Sequence, residues 1–304
     1  MSAETGKCPR CGAESRPGNR YCAGCGYDLT SPMSEPVRQS ASWQSSEGAK
    51  ARIADIIRRR GQSDEVLSDM WILLPILALG VSIVAVVAMG LRMATAFSEG
   101  FDPNSGLGPF WADIAVLAIA SLVSMVLFLV LNYKLLKRQY EHIAREAALR
   151  RALIDFLRAK GEERGAGQNV YQYVQAMEAI DREGVFNEKQ RDPLLWTLAP
   201  LIPIVGGILW YYSMWFLTEY TPHHDRRWVA FAQNAQYAGS QVGMELSPPR
   251  PAVPERSTVL YLILTFLFGV FAVYWYWVII KDYNEHFRAE WEFEDRLLGE
   301  IQRF

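Results

Sequence analysis

The run MWILLPILALGVSIVAVVAMGL, Met70 to Leu91, decides the fold. It contains no charged residue, and a helix rising ~1.5 Å per residue needs about 20 residues to cross ~30 Å of hydrocarbon. Working outward, IAVLAIASLVSMVLFLVLNY (Ile114 to Tyr133), Pro193 to Thr218 and Ser257 to Ile280 are uncharged runs of the same class. The sequence therefore predicts an all-α polytopic membrane bundle of about four transmembrane helices and excludes a purely soluble enzyme. The overall composition, 50% apolar and 21% charged, conceals this because the apolar residues are clustered. A net charge of −2 gives no general attraction to nucleic acid or anionic lipid.

All four cysteines fall in the first 25 residues, as Cys8-Pro-Arg-Cys11 and Cys22-Ala-Gly-Cys25. Two CxxC knuckles so close together supply the four thiolates that a tetrahedral structural Zn²⁺ requires. Two disulfides are the competing reading, but Met1 to Asp28 shows no secretory signal pattern. The stretch Cys-Pro-x-Cys-Gly followed by Tyr21-Cys22-x-x-Cys25-Gly26-Tyr27 resembles the short zinc ribbons at the ends of many prokaryotic proteins. Residues 1–30 have a side-chain charge of about +1, which four thiolates and one zinc ion convert to about −1. Nucleic acid is thus not the expected partner, since phosphate binding requires surplus cations. The ribbon reads as a protein-contact module.

Residues 31–50 are rich in serine and proline and read as a flexible tether. Arg52, Arg58, Arg59 and Arg60 precede the first span, and Lys134, Lys137, Arg138, Arg145, Arg150 and Arg151 follow the second. The intervening loop has Arg92 against Glu99, Asp102 and Asp113. By the positive-inside bias, this cell-membrane protein has a cytoplasmic N-terminus, a cytoplasmic 134–192 segment and a cytoplasmic C-terminus. The chain then divides into a ribbon (1–30), a tether (31–50), an amphipathic segment with the first transmembrane hairpin (51–133), a cytoplasmic helical stalk (134–192) and a second transmembrane pair ending in an amphipathic helix (193–304).

No glycine or proline interrupts Trp111 to Lys160, so the second span should continue as one helix. Leu136, Tyr140, Ile143, Ala147, Ile154 and Leu157 form an apolar seam along it, broken by Arg150. Its partner is either Val170, Tyr173, Val174, Met177 and Ile180, folding back as a helical hairpin after a Gly161–Gly167 turn, or another chain in a homo-oligomer. Leu136, Tyr140 and Ile143 are the candidate contact surface.

The second half repeats with an offset of 63 residues, pairing Gly206 with Gly269, Tyr211 with Tyr274, Glu219 with Asp282, Tyr220 with Tyr283 and His223 with His286. Lys281 to His286 also echoes Lys137 to His142. If both units cross the bilayer, the repeat is inverted, as in transporters. A chain broken at Pro200 to Gly207 could instead enter and leave on one face. The stretch Leu264 to Trp275, followed by Lys281-Asp282, resembles an uncharacterised family of small prokaryotic membrane domains marked by a Thr-x-Gly-Ile-Tyr-x-x-Tyr-Trp run and often joined to a zinc ribbon. That resemblance implies architecture and no activity.

None of the four runs contains an ionisable residue, which argues against an ion-driven transporter. His142, His223, His224 and His286 each follow a span within ten residues and read first as interfacial side chains. A metal site built on them requires three on one side of the membrane. The sequence thus favours a non-enzymatic platform, held among membrane lipids and recruiting a cytosolic protein, with Cys8, Cys11, Cys22 and Cys25 as zinc ligands. A passive channel or lipid-handling protein built on the repeats is the alternative, and a membrane enzyme using the juxtamembrane histidines is the second.

Overall fold

The computed structural model describes residues 6–7, 14–15, 45–100, 110–188 and 191–304, and the chain forms two units, 1–45 and 46–304. In the first unit, β1 (Gly6–Lys7) pairs antiparallel with β2 (Glu14–Ser15), Gly6 opposite Ser15. Cys8, Cys11, Cys22 and Cys25 lie outside the described residues.

The second unit is helical. α1 (Ser46–Arg58) starts inside the expected tether and buries Ala49, Ile53 and Ile57, while the single turn α2 (Arg60–Ser63) leads to Asp64. A 3-10 turn at Asp69–Ile72, capped by the Ser68 hydroxyl, opens α3 (Leu73–Ser98). α4 (Trp111–Glu163) runs unbroken for 53 residues, or about 80 Å. α3 and the first part of α4 are long and apolar enough to cross a membrane. They meet through small residues, with the Ser124 hydroxyl donating to the Ala78 carbonyl at 2.8 Å. Their other faces leave side chains such as Val84 69% exposed, which water would penalise by about 25 cal/mol per Å².

α5 (Gly167–Asn187) folds back on α4, as the apolar stripe predicts, burying Val170, Val174 and Met177 beside Ile154 and Leu157. Leu136 and Ile143 are also buried within the chain, so of the expected contact surface only Tyr140 remains exposed.

The third and fourth runs are not continuous helices, contrary to four full spans: each is interrupted by a reversal, and two helices among the described residues are long and apolar enough to cross. α6 (Pro193–Leu198) and a 3-10 turn at Ala199–Leu201 end in a reversal, from which α7 (Gly206–Gln241) returns. α8 (Thr258–Leu267) stops at Phe268, and α9 (Phe271–Gln302) returns in the same way. A ten-residue limb reaches only about 15 Å, half a hydrocarbon layer. Pro200 and Pro203 contribute no N–H at the first reversal, while the Ile202 and Gly206 amides donate to Ala199 and Ile202 carbonyls. Gly206 is obligatory there, because a Cβ would sit 1.9 Å from the Pro200 carbonyl oxygen.

The feet of the second reversal are pinned together. Arg256 and Asp282 form a bidentate ion pair at 2.6 and 2.7 Å across the α8–α9 hairpin. The two repeat units therefore run in the same direction, and the inverted arrangement is overturned. Residues 219–256 join 134–188 in one helical body.

Candidate metal centre

Three helices leave the apolar hairpins and enter that body: α4, α7 and α9. Each passes first through one apolar core, containing Leu135, Leu217 and Ile279, and later through a second, containing Leu153, Phe231 and Phe293. Between the cores lies a polar layer, to which each helix contributes one histidine: His142, His224 and His286, all 2% exposed or less.

The rings meet edge to face, with centroids 5.0 to 5.2 Å apart. Nε2 of His142 is 3.1 Å from Nε2 of His224 and 3.2 Å from Nε2 of His286. The edge of a tetrahedron around Zn²⁺, with Zn–N of about 2.0–2.1 Å, is about 3.3 Å.

Every Nδ1 faces outward to a carboxylate: His142 to Asp64 Oδ1 at 3.0 Å, His224 to Glu188 Oε1 at 2.6 Å and His286 to Asp225 Oδ1 at 2.7 Å. The Tyr220 hydroxyl also reaches His224 Nδ1, at 2.9 Å. A carboxylate accepts and cannot donate, so these partners place a proton on each Nδ1 and turn each Nε2 inward. Carboxylate–histidine pairing of this kind orients and strengthens metal-bound imidazoles.

Two carboxylates approach this point: Glu146 groups with all three histidines, and Glu290 groups with His142 and Asp64 beside it. Glu146 and Glu290 sit one turn beyond His142 and His286, at i+4 on the same helix faces. Their Oε1 atoms are held by Arg150 and Arg145. Glu146 Oε2 lies 2.6 Å from His224 Nε2 and 3.5 Å from His142 Nε2, and Glu290 Oε2 lies 3.5 Å from His142 Nε2 and 3.6 Å from His286 Nε2. Both Oε2 atoms are fully buried; Glu146 Oε2 is near enough to accept from a protonated His224 Nε2, whereas Glu290 Oε2 makes no hydrogen bond among the described residues. Three inward imidazoles and two carboxylates around one point call for a cation, a proton or a metal ion, between them.

Charge is unbalanced in the same direction. Asp64, Glu146, Glu188, Asp225, Glu290 and Glu294 converge on the layer, where Arg145 and Arg150 are buried and Arg60 and Arg227 pair from the rim. Arg150 is shared with Asp181 and Arg60 with Asp295, so carboxylates outnumber guanidiniums. With protons alone available, burial disfavours a charge on His224, but Glu146 and Glu188 outweigh it and raise its pKa to about 10. Burial drives the Glu290 carboxyl well above its usual range, with Arg145 opposing and Glu294 and Glu146 adding to the rise.

The sequence placed all four histidines at span ends, and the structure brings three of them together. The fourth, His223, has a side chain 58% exposed and lies 3.4 Å from Glu219. The 63-residue offset had paired His223 with His286. One helix position turns a side chain by about 100°, so its neighbour His224 is the one that faces inward. The missed signal is a His-x-x-x-Glu pair occurring twice, at His142 and Glu146 and at His286 and Glu290, with the echo after the second span supplying the third helix.

No family model, curated protein or solved structure matches the chain.

Proposed function

We propose that this chain is a multi-pass, membrane-anchored metalloprotein whose cytoplasmic helical body holds one divalent transition-metal ion. Its ligands are Nε2 of His142, His224 and His286 with Glu146, and Glu290 completes the set. The observation that carries this reading is the inward convergence of three Nε2 atoms whose Nδ1 atoms are all committed to carboxylates. Imidazole with carboxylate suits Zn²⁺ or Fe²⁺ better than the hard ions Mg²⁺ and Ca²⁺.

The ion's role on this reading is structural or regulatory. A cavity of about 420 Å³ beside the layer is bounded by Tyr220 and Arg227, and another of the same volume reaches Arg150 and Glu188. Neither is lined by a ligating histidine, so these two openings give substrate no path to the ion. The protein serves as a platform: α3 and α4 cross the bilayer and the two reversals dip into it. The Ser/Pro tether presents a Zn²⁺ ribbon built on Cys8, Cys11, Cys22 and Cys25 to a cytosolic protein. The arginines flanking the first hairpin put the body on the cytoplasmic side.

Metal analysis of the purified full chain in detergent tests this. The expected result is two metal ions per chain, one lost on Cys8→Ser with Cys22→Ser and the other on His224→Ala or His286→Ala. Histidine variants that keep the wild-type metal content would overturn the assignment.

A further inference from the structure

Beyond binding an ion, the layer has an order that follows the chain. Asp64 lies five residues before the turn that opens α3, and the chain returns from that hairpin to His142. Glu188 lies five residues before α6, and the chain returns to His224. The third hairpin is reached through residues 252 and 253, whose amides donate to Asp225 Oδ2 at 2.8 and 3.2 Å, and the chain returns to His286, bound to the other oxygen of Asp225. Each apolar hairpin is thus closed at its base by a carboxylate fixed to the inbound limb and a histidine on the outbound limb. All three histidines then present Nε2 to one point.

We infer that the metal ion fastens the three membrane hairpins to one another, so that its removal frees the two short reversals from their seated position. This rests on the metal reading above. The geometry provides the mechanism. His224 is six residues beyond Thr218 and His286 six beyond Ile280, about 9 Å of rigid helix, so displacement of either imidazole is transmitted along α7 or α9 to its reversal. Neither reversal has the length to anchor itself by crossing. Their tips are apolar and outward-facing: Ile204 is fully exposed and Phe266, Leu267 and Phe268 largely so. Losing the ion leaves buried carboxylates and lone pairs facing each other, a repulsion relieved when the three stems separate.

The test uses the full chain in lipid nanodiscs, with the four native cysteines replaced by serine and a single reporter, Ile204→Cys or Phe268→Cys. Modification by a membrane-impermeant maleimide is timed before and after a membrane-permeant chelator, with metal content measured on the same samples. The fastener predicts that both reporters react roughly tenfold faster or more once the ion is gone, and slow again when Zn²⁺ is restored. Two variants separate the clasps: Glu188→Gln should accelerate labelling at position 204 more than at 268, and Asp225→Asn the reverse. Demonstrated metal loss with unchanged labelling at both positions overturns the fastener while leaving the metal site intact. Protein that never contains the ion overturns the reading beneath it.

Discussion

Glu188 and His224 are 36 residues apart in the chain, yet Oε1 of one lies 2.6 Å from Nδ1 of the other. The whole α6–α7 reversal is contained between them. Closing a loop of that length costs on the order of 3 kcal/mol of chain entropy. One hydrogen bond to a charged group returns about 1.5–3 kcal/mol, so the pair alone does not hold the loop closed. Arg150 and Arg227, which also reach Glu188, add to the closure.

His223 and His224 are adjacent, one exposed and one buried, which gives an internally controlled experiment. His224→Ala should remove the body's metal ion and lower thermal stability, because a ligand present at 100 times its Kd stabilises the folded state by about 2.7 kcal/mol. His223→Ala, at an exposed site, should keep the metal and change stability by no more than about 0.5 kcal/mol. Metal content and melting temperature of the two proteins, measured side by side, decide it. Equal behaviour would mean that the inward-facing ring is not the ligand.

Arg145 binds Asp64, Glu290 and Glu294 together, and its side chain is 7% exposed. Arg145→Met keeps most of the volume but leaves three buried carboxylates without their common partner. Breaking a buried charge pair from one side costs roughly 3–5 kcal/mol, so this variant should unfold at clearly lower denaturant than the wild type. Excess Zn²⁺ should recover part of the loss, since the ion draws on the same negative charge. Denaturation midpoints with and without added metal measure both effects.

The glycines paired by the repeat are not equivalent in the fold. At Gly206 an added methyl meets the Pro200 carbonyl at 1.9 Å, whereas nothing lies within 4 Å of Gly269. Gly206→Ala should destabilise by about 1–3 kcal/mol, the range for forced overpacking. Gly269→Ala should be neutral or gain about 0.4–1 kcal/mol by restricting the unfolded chain. Thermal melts of the two variants in detergent distinguish them.

Much of the fold is legible in local pattern. The α3 and α4 spans, the unbroken run from Trp111 and the fold-back of Val170, Val174 and Met177 all follow from periodicity and from where glycine and proline occur. The reversals were harder to read because hydropathy counts apolar length and is indifferent to direction. Pro193 to Thr218 is long enough to cross, and the turn from Pro200 to Gly206, with Ile204 at φ 71°, reverses it. The three-histidine layer is hidden for a related reason. His142, His224 and His286 stand 82 and 62 residues apart, and their convergence depends on two reversals that return every stem to one side. With four full crossings, His224 would be separated from the other two by the bilayer.

That dependence makes topology the most economical discriminator. Gln241 ends α7, and Tyr237 near that end stacks on Tyr173 of α5, so the proposed topology expects Gln241 on the same membrane face as residues 134–188. In sealed, inside-out vesicles, a single Gln241→Cys reporter and a single Arg182→Cys reporter, each in a cysteine-free background, should both react with an impermeant maleimide. A reporter between the first two apolar runs, such as Ser105→Cys, should react only after the vesicles are opened. Protection of position 241 together with 105 would put α7 across the bilayer, separate His224 from His142, and dissolve the three-histidine centre regardless of any metal found in the protein. Labelling of 241 with 182 leaves the three stems on one side, where an ion can join them.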